Sequence, residues 1–192
     1  MKNEIGAVIV LSGPPGVGKT TVARILAETA TKPAVHLLTD NFYTAIKKGF
    51  VLPFLPEAAK QNEVVVGVVV ESMLGYARGG YDVVVDGIIG PWSLQPFVEA
   101  AQRAHVSLSF VVLRRTLEQT FARAVGREGK ALKASGPIKG LYGAFANLGA
   151  LERHAIDSTN HSVEDTVADV RRGVNAGLFA LLKGATHRSG GA

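Results

Sequence analysis

The run Gly13-Pro14-Pro15-Gly16-Val17-Gly18-Lys19-Thr20 limits this chain's fold more than any other feature. It lies between a continuously apolar segment, IGAVIVLSG (Ile5–Gly13), and a helix-forming one that opens at Lys19. Its spacing satisfies G-x-x-x-x-G-K-[ST] in full. Such a loop needs a strand to end and a helix to begin within the motif. Its glycines let backbone N–H groups turn inward around a phosphate, where a Cβ would obstruct. Gly13 through Thr20, with Thr21, are therefore the expected nucleotide-binding set. Lys19 reaches the β and γ oxygens, the Thr20 hydroxyl can ligate Mg²⁺, and the helix adds the positive end of its dipole.

The rest of the chain repeats that strand-then-helix rhythm. AVHLL (Ala34–Leu38), YDVVVDG (Tyr81–Gly87), VSLSFVVL (Val106–Leu113) and HAIDST (His154–Thr159) read as further buried strands. Lys19–Ala30, Leu94–Ala104, Thr116–Val125 and Ser162–Lys183 suit helices, the last behind SVED, a capping box with Asp165 in the acidic position. Apolar strands separated by crossovers predict a parallel sheet covered on both faces. NEVVVGVVVESMLGYARGG is β-branched enough for a strand by propensity. A parallel pair needs a crossover, and Gly79–Gly80 offer a C-cap, so Glu63–Arg78 is read as a helix.

Composition fits one globular domain spanning 1–192: 47% of residues are hydrophobic and 19% charged. The longest apolar run, Val64–Val70, is far short of the roughly 20 residues a membrane span needs. No secretory leader is evident at MKNEIG and there is no cysteine, so a cytoplasmic protein without disulfide or thiolate chemistry is expected. The net charge of +5 has its nearest approach to a basic tract at Arg114–Lys139. A polyphosphate ligand accounts for that excess as well as nucleic acid would, which argues against nucleic acid as the partner.

Ligands of an open parallel sheet bind beyond the carboxyl ends of its strands, and that rule sorts the acids. Asp40 follows the second strand and Asp86 closes the third, whereas Asp82 opens the third, roughly 13 Å away at strand rise. Asp40 is the candidate base for an acceptor hydroxyl, and Asp86 the candidate for the Mg²⁺ shell. After the fourth strand come Arg114, Arg115, Arg123 and Arg127, the last two sharing a helix face. Gly126, Gly129 and ASGPIKG beyond suggest a moving lid at about 126–148, whose arginines would offset charge on the transferred group. The five histidines have no metal-ligand spacing, and Trp92 could line a pocket or plug the core.

Loop, Asp after strand two, "DG" after strand three and arginine segment together resemble the small-molecule kinases of the adenylate kinase type. Among these the chain most resembles the chloramphenicol phosphotransferase-like group over nearly its full length. The resemblance implies an α/β, three-layer P-loop NTPase fold with a five-stranded parallel sheet and a lid. It implies Arg123 against the adenine, Arg127 on the phosphates and Asp40 as base. The expected function is transfer of the γ-phosphate of ATP, with Mg²⁺, to a hydroxyl of a small-molecule acceptor. The acceptor site falls at about 41–62, where Tyr43, Phe50, Pro53, Phe54 and Pro56 predict an apolar-walled pocket and Lys47 and Lys48 suit an anion. Rival readings are a nucleic-acid end or sugar-nucleotide kinase, and a nucleotide-dependent switch or ATPase. The switch lacks support, since no N-K-x-D guanine motif is present.

Overall fold

Five short apolar segments become parallel strands. The computed structural model describes residues 4–120 and 135–183, residues 135–138 by backbone alone. β1 (Val8–Ser12) leads through the phosphate loop into α1 (Lys19–Glu28), and β2 (Ala34–Leu38) runs directly into α2 (Thr39–Thr44). After a loop and the short 3-10 turn Pro56–Ala58 come α3 (Ala59–Arg78), β3 (Asp82–Asp86), α4 (Gln95–Arg103) and β4 (Leu108–Arg114). Beyond the undescribed stretch follow α5 (Ser135–Ala144), β5 (Ala155–Asp157), α6 (Val163–Asn175) and β6 (Ala180–Leu182).

The strand order is β2-β3-β1-β4-β5, all parallel, so β1 is central and every connection along that path is a crossover. Alternation along each strand builds two cores. Val8, Val10, Leu37, Val83, Val85, Phe110 and Val112 pack with α3 and α4 on one side. Leu11, Val84, Val111 and Leu113 pack with α1 and α6 on the other. The expected three-layer fold is what forms.

α3 settles the ambiguous valine-rich segment as a helix, beginning at Ala59 rather than Glu63. Burial of Val65, Val69, Val70, Met73, Leu74 and Ala77 follows a helical period and overrides β-propensity. Its end is a Schellman motif: Tyr81 N–H donates to Tyr76 C=O at 3.1 Å and Gly80 N–H to Ala77 C=O at 3.0 Å. The two tyrosine rings meet edge to face at 6.0 Å, supplying the motif's apolar contact.

One expectation fails. The last helix does not reach Lys183 but stops at Asn175, and the chain returns as β6, antiparallel to β4 beside Leu108 and Ser109. The reason is a second Schellman motif, with Gly177 at φ +70° and Leu178 N–H donating to Gly173 C=O at 2.9 Å. Among the described residues the sheet is thus six-stranded, with five parallel strands. The start of α6 is as expected: Asp165 N–H donates to Ser162 Oγ at 3.0 Å and Ser162 N–H to Asp165 Oδ2 at 3.1 Å. A helix opens at 117–120, and the remainder of the expected Thr116–Val125 helix lies outside the described residues.

Candidate functional site

The phosphate loop joins the C-terminal end of β1 to α1, and three of its glycines have backbone angles that L-side chains rarely adopt: φ +138° at Gly13, +90° at Gly16 and +99° at Gly18. A Cβ at Gly13 would lie 2.3 Å from the carbonyl oxygen of Leu113, so β4 also forbids it. Gly18 is the N-cap of α1 without a capping side chain, which leaves the first-turn N–H groups of the helix to a ligand. Lys19 is buried, and its Nζ donates to the Pro14 carbonyl at 3.0 Å. Thr20 is half-buried in the first turn of α1, and Thr21 is exposed.

Two contacts that the sequence reading missed hold this loop against its neighbours. The buried Ser12 hydroxyl donates to Ile89 C=O at 2.7 Å and accepts from Ile89 N–H at 2.9 Å, tying the end of β1 to the loop after β3. Arg115 is almost fully buried, and donates to Val17 C=O at 3.3 Å and to His161 C=O at 3.2 Å. It joins the phosphate loop to the segment between β5 and α6. A serine before a Gly-rich turn carried no distinguishing signal in the sequence, and Arg115 stood out only as one of the arginines after the fourth strand, with nothing local to name its partners.

Asp86 is fully buried at the C-terminal end of β3, in register with Leu11 of β1 and Leu38 of β2. It shares the sheet face of Val84, beneath α1. Among the described residues neither carboxylate oxygen has a hydrogen-bond partner, and His36 Nε2 lies 3.5 Å from Oδ2. A buried carboxylate left this way is costly unless a cation or polar ligand satisfies it. With the Thr20 hydroxyl in the overlying helix, the donor set is all oxygen, as Mg²⁺ prefers. Asp40 differs: it is exposed, in the first turn of α2, two residues beyond Leu38. Burial, with the Asp40 charge adding to it, pushes the Tyr43 phenol pKa up. Asp82 lies at the far end of β3, accepting from Ala7 N–H at 2.8 Å.

The acceptor segment is arranged otherwise than expected. Phe50, Leu52, Phe54 and Leu55 are exposed, and the loop carrying them is fastened to α3. Gln61 accepts from Val51 N–H at 2.8 Å and donates to Val51 C=O at 2.7 Å, while Asn62 donates to Pro53 C=O at 2.8 Å. An apolar groove of about 360 Å³ does exist, between Phe42 of α2 with Ile46 just beyond it and Val64, Val65 and Val68 of α3. Two residues along a helix are turned by about 200°, so Asp40 and Phe42 face opposite sides of α2. The groove therefore does not open on the Asp40 carboxylate. Lys47 and Lys48 are exposed, with Lys47 Nζ donating to Thr44 C=O at 2.9 Å.

Arg114 is committed elsewhere. It grips Glu152 with both terminal guanidinium nitrogens, and together with the Leu148 N–H it holds that carboxyl down at about 2. Arg123 and Arg127 lie outside the described residues, as does the first part of the 126–148 segment. At the other end of that segment Phe145 and Leu148 are buried in the core. Trp92 is more than half exposed and rests edge to face on Phe145, with ring centroids 5.3 Å apart. Among the described residues no cluster of three or more His, Asp or Glu side chains could hold a metal on its own, and no helix is long and apolar enough to cross a membrane.

A family model described as an AAA domain matches residues 8–137, from the first strand past the phosphate loop and both acids. The chain belongs to that AAA domain family. Within it, the P-loop, nucleotide-binding and kinase reading of the sequence holds. A cytidylate kinase of Archaeoglobus fulgidus is 29% identical over 89% of this chain and 86% of its own length. Another, of Pyrobaculum calidifontis, is also 29% identical, over 67% of this chain but just 64% of its own length. Among solved structures, the tunicamycin resistance protein of Deinococcus radiodurans superposes with a TM-score of 0.65 at 16% identity, covering 91% of this chain and 98% of that one. A sugar kinase from Janibacter sp. gives 0.67 at 16% identity, over 88% and 95% of the two chains. At such identities the likeness is one of fold.

Proposed function

We propose that this chain is a kinase that moves the γ-phosphate of ATP, held with Mg²⁺, to a hydroxyl of a small-molecule acceptor. Residues 1–192 would form one catalytic unit, and within the family it would fall with the chloramphenicol phosphotransferase-like group that its motifs resemble. The observation that carries the reading is the contrast between the two acids. Asp86 is buried beneath the phosphate-loop helix, and Asp40 is exposed one strand farther out.

Phosphoryl transfer asks a protein mainly for position and charge. The loop N–H groups and Lys19 hold the β and γ phosphates. Thr20 and Asp86 would hold Mg²⁺, which when bound offsets charge on those oxygens. Asp40 accepts the acceptor's proton as its oxygen attacks the γ-phosphorus, the bond to the β–γ bridging oxygen breaks, and ADP leaves. By the resemblance, Arg123 lies against the adenine and Arg127 reaches the phosphates from a lid that begins near Gly126. Since Phe145 and Leu148 are core residues, the moving part would end before Phe145.

A second reading has its own support: the cytidylate kinases similar to this chain are named for a nucleotide acceptor, which would put a phosphate oxygen in the attacking position. A phosphate needs no base, and an exposed carboxylate would repel it.

One assay separates the two. Transfer from labelled ATP is measured across a panel of hydroxyl compounds and CMP, with wild type, Lys19→Ala and Asp40→Asn. Lys19→Ala should abolish turnover. With a hydroxyl acceptor, Asp40→Asn should lose about 10²–10⁴ in rate while ATP affinity holds. Transfer confined to CMP, undiminished in Asp40→Asn, would replace the proposal with the nucleotide reading.

A further inference from the structure

His36 stands in the middle of β2, in a strand whose other residues are all apolar. Its neighbours Val35 and Leu37 turn toward the α3 and α4 core, so strand alternation turns His36 to the opposite face, under α1. The register pairs His36 with Val84 and Leu38 with Asp86, which makes His36 a diagonal neighbour of Asp86 across the β2–β3 pair. The side chains close that diagonal to 3.5 Å between Nε2 and Oδ2.

Both groups are withdrawn from water, with 19% of the His36 side chain exposed and 1% of Asp86. Three polar atoms at this spot, His36 Nε2 and both Asp86 oxygens, are buried without a hydrogen-bond partner among the described residues. A leucine or valine at 36 would fill the space at no polar cost. An imidazole earns its place by what Nε2 can do for the carboxylate beside it.

We propose that His36 is a positioning residue for Asp86. A small approach from the 3.5 Å seen here would let its Nε2–H donate to Oδ2, restraining rotation of the carboxylate and keeping the remaining lone pairs available to the Mg²⁺ that accompanies the nucleotide. The inference rests on the reading of Asp86 as part of the metal shell. Outer groups of this kind change metal affinity by roughly 10–100-fold when removed. Their effect passes through the ligand they orient, so His36 should act on metal dependence and leave metal-free nucleotide binding alone.

The test needs no acceptor. Mg²⁺-dependent binding of ADP is measured by calorimetry, and Mn²⁺ bound in the presence of ADP is counted by electron paramagnetic resonance. The variants are His36→Met, His36→Gln, Asp86→Asn and the His36→Met/Asp86→Asn double. Met and Gln have similar length and shape, but Gln keeps an N–H donor, so a fold defect common to both would appear in their melting curves and not in their difference. His36→Met should raise the half-saturating metal concentration roughly 10-fold or more, with metal-free ADP affinity unchanged. His36→Gln should recover much of that loss, and the Met substitution should add nothing once Asp86 is Asn. Wild-type metal dependence in His36→Met, or equal losses in His36→Met and His36→Gln, would overturn the role of His36 while leaving Asp86 assigned. Unchanged metal dependence in Asp86→Asn would remove the Asp86 assignment and this inference with it.

Discussion

Ser12→Ala tests whether the tie between β1 and the loop after β3 contributes stability. The substitution removes one oxygen atom and two hydrogen bonds, at 2.7 and 2.9 Å, to the backbone of Ile89. Ser12 is fully buried and Ile89 is 4% exposed, so water has little access to the groups released. Each buried backbone group left without a partner costs about 1–3 kcal/mol. The C=O keeps a second lone pair and loses less than the N–H, so the two together should cost roughly 2–4 kcal/mol. For a chain of this length that lowers the melting temperature by roughly 4–16 °C. Urea unfolding should show a lower midpoint at an unchanged slope, since the surface exposed on unfolding is the same. Ser72→Ala is the control. That hydroxyl donates to Val68 C=O within α3 at 2.9 Å, and alanine is the better helix former, so its effect should stay within about 0.5 kcal/mol. A loss below about 1 kcal/mol in Ser12→Ala, or one matched by the control, would refute the reasoning that the tie matters.

Two further outcomes follow from backbone and charge. Gly177→Ala should cost about 1–2 kcal/mol in urea unfolding, because its φ of +70° strains any L-residue, while the added Cβ meets nothing within 4 Å. A loss under about 0.5 kcal/mol would mean that the α6–β6 turn relaxes freely. The buried imidazole of His154, whose Nδ1 lies 2.9 Å from Phe110 C=O, has its pKa lowered by burial from 6.5. The unfolded chain therefore takes up this proton first, so the contribution is full above pH 6.5 and erodes as pH falls through the folded pKa. Glu152, held at about 2 against 4.5 when free, adds a second loss lower down, as pH falls from 4.5 toward 2. Stability measured against pH should decline in both windows, with His154→Gln flattening the upper one and Glu152→Gln the lower. An unaltered slope in either variant would contradict the assignment.

What the sequence disclosed and what it hid divide along the range of the interaction. The phosphate loop, the parallel strands and the Ser162–Asp165 capping box are local patterns, each complete within a few residues, and each could be read directly. The end of α6 was local too, but Gly177 lies inside an apolar run that continues through Leu182, and the run outweighed the glycine. Ser12, Arg115 and His36 escaped because their partners are Ile89, Val17 with His161, and Asp86. Those contacts exist only once strand order and register are known. The acceptor segment misled for a related reason: its aromatic residues predicted an apolar-walled pocket, whereas Gln61 and Asn62 fasten the loop along α3 and leave Phe50 and Phe54 exposed.

Asp40 and Asp86, both at the ligand-binding ends of strands and read as base and metal-shell residue, differ sharply in burial. A group that carries a proton away from an acceptor must reach both the acceptor and solvent, which an exposed carboxylate on a short helix can do. A group that holds a cation must stay charged and fixed, which suits a carboxylate enclosed beneath the phosphate-loop helix with its oxygens unpartnered among the described residues. Exchanging the roles would put the metal at the more solvated, looser acid and ask the enclosed one to release a proton with no described outlet. The two acids should therefore respond to different perturbations. Raising Mg²⁺ should recover part of the activity lost in Asp86→Asn and none of that lost in Asp40→Asn. Full recovery of Asp40→Asn by metal would assign Asp40 to the cation and leave the proposed transfer without its base.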